Sequence, residues 1–406
     1  MSKEYENNHY VPIWYQKQFL PVNQKDQELY YLDLNPSVIV DPRGVSHPRR
    51  AVRRLGFKYC FAEKDLYTRT FGEDKSKDIE KNFFGEIDRN GHQAVKFFAD
   101  FKHGGFDEEK LNNLVRYMST QKLRTIKGLG WLTQIAPGKS KEQVLSLMVK
   151  WYQLYCAIWT ECVWSIADAS QSETKFIVSD HPVTVYNRRC GPSSQWCKGL
   201  NDPDIRFHAT HSVFPLSLDK VLILTNLSWV RNPYQKEVEL RPNPDFFRGS
   251  LFKLMDIQIS RCLTEHEVRQ INFIIKSRAK KHIGAAREEW LYPEKYVSKS
   301  QWNTYGNGYL LMPEPRCLSF SKEVFMSFAD GTSTAFDEYG RRPWQKGFGS
   351  GLGGASEFSK FQRFQGEFAR LFGRKRRGRC FHFNRLSEEE DSEEMHQHYL
   401  NSEKKK

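Results

Sequence analysis

The chain has 406 residues, of which 39% are hydrophobic and 14% aromatic, so it can bury a large core and is not disordered throughout. Lys and Arg number 62 against 49 Asp and Glu, and the resulting net charge of +13 favours polyanionic partners such as RNA, DNA or an anionic membrane surface. The eight cysteines are scattered and no apolar run reaches the ~18 residues of a spanning helix, so we expect a cytoplasmic protein without a transmembrane span.

The first third of the chain predicts short strands followed by helices. Leu29–Leu32 and Val38–Val40 are typical of strands, separated by the turn-forming pair Asn35-Pro36. Apolar residues then recur at intervals near four, first over Ile79–Phe98 and again over Leu111–Met118. These intervals predict two helices, the second capped by Asp107.

Ser140 and Gln143 form a capping box that predicts the start of a long core helix. The apolar periodicity after it extends to Ile166, so we expect this helix to end close to Ala167. Downstream, apolar runs predict strands at Phe176–Val178, Val183–Tyr186 and Val221–Leu224. A second capping box, Thr264 with Glu267, predicts another helix that ends at Gly284.

The character of the chain changes after Pro293. Two aromatic runs flank Asp330-Gly331, which predicts a hairpin, and the segment from Gly347 to Gly354 is typical of a linker. An apolar helical stripe follows, formed by Phe358, Phe361, Phe364, Phe368, Leu371 and Phe372. It leads into a basic cluster, Arg374, Lys375, Arg376, Arg377 and Arg379, and then into the acidic run Glu388–Asp391, which can screen those charges within the chain.

From these patterns we expect an α+β protein that is rich in helix. Its main domain spans residues 1–293 and contains a small sheet, and residues 294–346 form an extension with the hairpin. Residues 347–406 form a mobile extension with the Gly-rich linker, the Phe-stripe helix and a charged tail. The helix either packs on its own domain or contacts a membrane surface or nucleic acid. The tail is first basic and then acidic.

Two short segments place polar, reactive side chains beside prolines in apolar surroundings. They are Asn8–Pro12 and Ser179–Pro182, which bring His9, Asp180 and His181 into consideration. Together with Gln16–Leu20, Gln121–Thr125 and Phe214–Ser217, these blocks resemble in order the domain-of-unknown-function family 4238. The resemblance covers roughly Asn8 to Ala285. The family has no agreed activity, so the resemblance implies where a site lies without naming its reaction.

We expect His9, Arg124, Asp180 and His181 to line that site. In a catalytic arrangement His9 acts as base, Asp180 orients it or binds a divalent metal ion, and Arg124 stabilises an anionic group. The structural alternative is that His9 and Asp180 bind backbone groups at the bends enforced by Pro12 and Pro182. No cofactor is identified by the sequence, and a divalent metal ion is the one considered.

Two further motifs depart from the patterns they resemble. Gly138-Lys139-Ser140 opens a helix as in a phosphate-binding loop, but Thr133 occupies the position where that loop needs its first glycine. A zinc site of Cys190, Cys197, His208 and His211 has spacings outside the usual range. A turn with a helix cap, and ordinary loop residues, account for them better.

The functional hypothesis that joins these features is a nucleic-acid-directed protein with phosphodiester cleavage as its chemistry. The net positive charge recruits the substrate, and the basic cluster at Arg374–Arg379 contacts nucleic acid or an anionic membrane surface. The alternative is a non-catalytic scaffold that uses the same charge and its aromatic tail to bind nucleic acid or a protein partner.

Overall fold

The computed structural model describes residues 7–64, 66–67, 69–71, 74–76, 84–104, 107–241, 256–318, 323–337, 341–346, 348, 354–381 and 390–404. The predicted linker from Gly347 to Gly354 falls mostly outside these residues. So do Ile79 to Phe83, the first turns of a predicted helix.

The chain alternates short strands with helices. The strands are β1 (Asn7–His9), β2 (Glu28–Asp33), β3 (Val38–Val40), β4 (Ser46–Pro48), β5 (Val52–Gly56), β6 (Ala62–Lys64), β7 (Arg69–Phe71), β8 (Asp74–Ser76), β9 (Cys162–Asp168), β10 (Val178–Ser179), β11 (Thr184–Asn187), β12 (Thr210–Pro215), β13 (Lys220–Asn226), β14 (Gln258–Cys262), β15 (His282–Ala285), β16 (Glu323–Ser327) and β17 (Ser333–Asp337). The helices are α1 (Ile13–Lys17), α2 (Gly85–Ala99), α3 (Glu108–Leu123), α4 (Ile126–Ile135), α5 (Lys141–Thr160), α6 (Leu227–Arg231), α7 (Glu265–Arg278), α8 (Gly354–Phe372) and α9 (Glu393–Lys404). This is an α+β fold, as the sequence predicted.

Two sheets organise the main part of the molecule. The larger has the strand order β11-β12-β13-β9-β14 and is antiparallel except that β14 runs parallel to β9. The smaller is antiparallel, with the order β10-β15-β2-β5. Helices α3 and α5 pack against each other beside the larger sheet, and their apolar faces join the strands in one main core.

Both predicted capping boxes are present, but the helices that they start are shorter than the sequence predicted. Helix α5 ends at Thr160, and Cys162 to Asp168 form the buried central strand β9. Helix α7 ends at Arg278, so the expected terminator Gly284 lies in strand β15. The end at Ala167 was wrong because a strand buried on both faces is as uniformly apolar as a core helix.

The C-terminal part packs onto the rest of the protein. The predicted hairpin is formed by β16 and β17, and Gly331 has a φ of +79° in the turn between them. Three phenylalanines of α8, Phe361, Phe364 and Phe368, are buried in a second apolar cluster with Val163 and Trp229, which we call the satellite core. The extension was expected to be mobile, with a helix docked on the same chain as one alternative, and the structure shows α8 docked.

The main core also runs past the predicted domain boundary at residue 293. Trp302, Tyr305 and Leu310 belong to it. Within the described ranges, no helix combines the length and the apolar character needed to cross a bilayer.

Candidate functional site

Asp180 holds the loop between α7 and β15. One carboxylate oxygen accepts the backbone N–H of Lys280 at 2.8 Å, and the other accepts those of Lys281 and His282 at 2.6 and 2.9 Å. The side chain is buried, and burial raises its pKa although the three N–H groups partly offset that effect. Asp180 therefore has the structural role that the sequence left open as the alternative to catalysis.

Arg124 is likewise engaged within the fold. It forms a two-pronged ion pair with Asp88, at 2.9 and 2.7 Å, and donates to the side-chain oxygen of Gln121. It is 1% exposed, so the guanidinium is closed off from solvent. His9 lies in β1, with its Nε2 3.3 Å from the Lys58 carbonyl oxygen. Neither residue lines the pocket that contains His181.

His181 belongs to a group of charged side chains that we call the buried ionic cluster: Lys122, Lys127, His181 and Asp202. Asp202 accepts from the Lys122 ammonium on one oxygen and from the Lys127 ammonium, at 2.5 Å, on the other. Lys122 Nζ also lies 2.8 Å from His181 Nε2 and 3.3 Å from the Val183 carbonyl oxygen. The three N–H groups of the Lys122 ammonium thus have three acceptors.

Four parts of the chain bring these four side chains together, and His181 comes from the connection between β10 and β11. Lys122 lies in the last turn of α3, Lys127 in the first turn of α4, and Asp202 in the connection between β11 and β12. Thr125 caps α4 by accepting the N–H of Gly128 at 3.1 Å. A side chain at Gly128 would collide with the backbone carbonyl of Lys122, so glycine permits the close approach of the two helices.

Burial and mutual charge determine the protonation of the buried ionic cluster. Burial lowers the pKa of Lys122 to about 8, although Asp202 opposes this shift. Burial and the neighbouring Lys122 ammonium lower the pKa of His181 to about 3, so the imidazole is neutral at pH 7. Burial alone would raise the pKa of Asp202, but the two ammonium groups outweigh it and hold the pKa well below its usual range.

His181 Nε2 lies 2.8 Å from the Lys122 ammonium and 3.1 Å from Asp202 Oδ2. An ammonium only donates hydrogen bonds and is the nearer of the two groups, so we assign Nε2 as an acceptor and the proton of the neutral imidazole to Nδ1, 2.8 Å from Thr125 Oγ1. With two lysines charged, one carboxylate ionised and one neutral imidazole, the cluster carries a net charge of about +1 at pH 7.

A pocket of about 100 Å³ opens above this cluster. All four members of the cluster line it, and its apolar walls are Trp131, Trp151, Tyr155, Leu200 and Ile205. The rings of Trp131 and Trp151 meet edge to face, with their centroids 5.0 Å apart and an interplanar angle of 76°. The arrangement suits a small, flat ligand that presents a hydrogen-bond acceptor to the lysines.

The basic cluster near the C-terminus is largely paired with acidic residues. Arg376 contacts Asp391, Arg377 contacts Glu267, and the exposed Arg374 pairs with Glu390 at 3.3 Å. Lys375 is exposed, while Arg379 joins β14 through backbone hydrogen bonds with Ile259. Asp391 and Glu390 thus screen this cluster as the acidic run was expected to do, and Glu388 and Glu389 lie outside the described residues.

The weaker sequence motifs do not form sites. Lys139 and Ser140 begin α5 as an ordinary capped helix. His211 Nδ1 lies 2.8 Å from Thr225 Oγ1, and the Cys197 thiol donates to the Cys190 carbonyl oxygen. Across the part of the chain that the structure describes, no three His, Cys, Asp or Glu side chains lie where they could share a metal ion.

The sequence pointed to His181 but missed Lys122, Lys127 and Asp202. One signal was available for Lys122, because it continues the apolar stripe of α3 at the position four residues after Met118, where a buried side chain is expected. A lysine there must have a partner inside the protein. Asp202 gave no such signal, since it lies in a polar connection.

Comparison with known proteins identifies one related group. Residues 128–289 match the family model described as "Protein of unknown function (DUF4238)". The match includes His181 and Asp202 and begins one residue after Lys127, and the resembling blocks between Asn8 and Thr125 lie before it. No curated protein and no solved structure matches the chain. The resemblance inferred from the sequence is thus confirmed for residues 128–289, which match DUF4238, an uncharacterised family.

Proposed function

We propose that this protein binds single-stranded nucleic acid along a strip of exposed cations that begins beside the pocket. The strip consists of Arg49, Arg50, Arg53, Lys280 and Lys281, all of which are exposed. Throughout the described ranges, none of these five side chains has an ion-pair partner. This set of uncompensated charges is the observation that carries the proposal, because phosphate contacts by Lys and Arg supply most of the affinity of non-specific nucleic-acid binding.

Backbone contacts place the five residues together. Strand β15 pairs with β2, and the N–H of Leu34 after β2 donates to the Lys281 carbonyl oxygen at 2.7 Å. Strand β5 pairs with the other edge of β2, with Arg53 opposite Tyr31. The strip therefore crosses one end of the smaller sheet, from the α7–β15 loop to the segment before β5.

The same loop connects the strip to the pocket. The Lys127 ammonium donates to the Arg278 carbonyl oxygen at 2.9 Å, at the last residue of α7. Lys280 and Lys281 follow within three residues, and their backbone is held by Asp180. A strand of nucleic acid bound along the strip would thus pass close to the buried ionic cluster.

A binding assay with charge-reversal variants tests the proposal. Labelled single-stranded RNA and DNA are titrated with the wild-type chain and with a variant that carries Arg49→Glu, Arg50→Glu and Arg53→Glu. Each lost phosphate contact lowers the slope of log K against log salt by about 0.7, so the variant's slope should be about 2 units shallower and its affinity weaker at every salt concentration. The matched control reverses Arg374 and Lys375, whose surroundings are acidic, and should change binding much less. Equal binding by wild type and the Arg49–Arg53 variant would remove the basis of the proposal.

We propose phosphodiester cleavage as a second function, favoured by the position of His181 beside the Lys122 ammonium, 2.8 Å away, in a pocket that Lys127 also lines. Lys122 and Lys127 would stabilise the charge of a phosphate, while His181 would take a proton from the attacking water and return it to the leaving oxygen. Since the pKa of His181 is about 3 and that of Lys122 about 8, cleavage should stay constant from pH 5 to 7 and decline above pH 7 as Lys122 loses its charge. Loss of RNA or DNA cleavage in His181→Gln, with retained binding, would support this function, and cleavage at the wild-type rate would contradict it.

A further inference from the structure

We propose that the pocket above the buried ionic cluster binds a pyrimidine base of the single-stranded nucleic acid. This inference rests on the proposed function, because it assigns the pocket to a base of the strand that follows the cationic strip. Three properties of the pocket carry it: its size, its walls and the donors on its floor.

The volume limits the ligand to one ring. The pocket measures about 100 Å³, whereas an engineered cavity of roughly 150 Å³ holds one benzene molecule. The pocket is smaller than that cavity, so one six-membered ring is the largest flat group that it can receive, with the substituents of the ring at the pocket opening. The two fused rings of a purine do not fit without movement of the walls.

The walls provide aromatic faces for stacking. Trp131 and Trp151 are partly exposed, and their rings stand nearly perpendicular to each other. A flat ring that enters between them can stack on one indole and meet the edge of the other. Proteins that bind single-stranded nucleic acid add base stacking on aromatic side chains, worth about 1–3 kcal/mol per base, to their phosphate contacts.

The floor offers a hydrogen-bond donor to the ligand. Lys122 uses its three N–H groups on Asp202, His181 and the Val183 carbonyl. Lys127 donates to Asp202 and to the Arg278 carbonyl, which leaves one N–H of its ammonium for a ligand. Both pyrimidines of RNA carry the O2 carbonyl oxygen that can accept it.

The charge of the floor argues against the other ligand that aromatic walls can bind. Trp and Tyr side chains also form cages for methylated ammonium groups. Here the carboxylate of Asp202 is already matched by two lysines, and the net charge of the cluster is about +1. Asp204, the other carboxylate of the lining, pairs with Arg206 at 2.9 Å, so neither carboxylate is left to bind a cationic ligand, whereas the remaining N–H of Lys127 attracts a carbonyl oxygen.

Homopolymer RNAs of equal charge test the inference. The wild-type chain should bind U8 roughly tenfold more tightly than A8, since stacking contributes most where the ring fits. Trp151→Ala should abolish this preference and leave A8 binding and the salt slope unchanged. The control is Trp344→Ala, which removes a tryptophan that is 78% exposed and lies outside the pocket. Equal affinities of the wild type for U8 and A8 would overturn the pocket assignment while leaving the cationic strip intact.

A second experiment separates the pocket from the strip. Uridine and adenosine, which carry no phosphate, are compared by saturation-transfer NMR with the full chain. Transfer to uridine but not to adenosine, lost in Trp151→Ala, supports the pocket even if no oligonucleotide binds and the proposed function fails. Absence of transfer to uridine in the wild type contradicts the pocket assignment, and Trp151→Ala is checked for folding by its unfolding midpoint.

Discussion

Asp202 should be among the most important charged residues for stability, because it is the only carboxylate within the buried ionic cluster. In Asp202→Asn the shape of the side chain and one acceptor oxygen remain, but the negative charge is lost. Two ammonium groups, on side chains that are 5% and 6% exposed, then lie close together without compensation. Removal of one partner from a buried ion pair costs about 3–5 kcal/mol, which is a large part of the ~5–15 kcal/mol that stabilises a typical domain.

The assay is urea unfolding followed by tryptophan fluorescence, with Asp204→Asn as the matched control. Asp204 lies two residues away and pairs with Arg206 at 2.9 Å, but the two side chains are 33% and 23% exposed. Its substitution should cost less than about 1 kcal/mol, as surface ion pairs do. If Asp202→Asn lowers the unfolding free energy no more than the control does, the charges of the buried ionic cluster are not shielded from solvent as the structure indicates.

The pH dependence gives a further check on the same variant. The folded-state pKa of Asp202 is held well below its ordinary value. Its stabilising contribution is therefore complete above the unfolded-state pKa of about 3.9 and is lost as the pH falls through the folded-state value. The difference in unfolding free energy between wild type and Asp202→Asn should stay constant from pH 5 to 7 and shrink below about pH 4.

The other predictions concern the structural roles of single residues. The pKa of Lys122 is about 8 in the folded state. Between pH 8 and 10 the unfolding free energy of the wild type should therefore rise by about 1.4 kcal/mol per pH unit relative to that of Lys122→Met. A difference in unfolding free energy that does not change with pH would contradict the lowered pKa. Asp180→Ala should cost at least about 2 kcal/mol in urea unfolding, because three backbone N–H groups lose their acceptor, and a cost below about 0.5 kcal/mol would contradict this structural role. Gly128→Ala should lower stability by about 1–3 kcal/mol through collision with backbone, whereas Gly191→Ala, which has open space around it, should be nearly neutral in the same thermal scan. Phe364→Ala should cost about 3–5 kcal/mol, since this ring is fully buried in the satellite core; a cost below about 1 kcal/mol would show that α8 is not docked.

Local signals in the sequence predicted where elements begin better than where they end. The capping boxes at Ser140 and Thr264 are both formed, because a cap depends on residues only three apart. The ends of α5 and α7 depend on whether the following apolar residues pair with distant strands. Residues Cys162–Asp168 form strand β9 because they pair with β13 on one side and β14 on the other. Their own sequence does not indicate that pairing.

In the candidate site, too, the sequence shows local features but not the contacts with distant residues. The Ser179–Pro182 segment was recognisable, but what each side chain does there is decided by partners far along the chain. Asp180 binds backbone groups 100 residues later, and His181 meets Lys122 and Asp202 from two other elements. Neighbouring residues therefore have different roles, one holding a loop and the other lining a pocket, and no local pattern distinguishes them.

The docking of α8 also has a consequence for the order in which the protein folds during translation. The phenylalanines of α8 cover Trp229 and Val163, which precede them by roughly 130 residues or more. At a ribosomal rate of about 5–20 residues per second, the phenylalanines of α8 are synthesised roughly 7 to 41 s after these two side chains. During that interval the nascent chain exposes an apolar surface on which a chaperone can act.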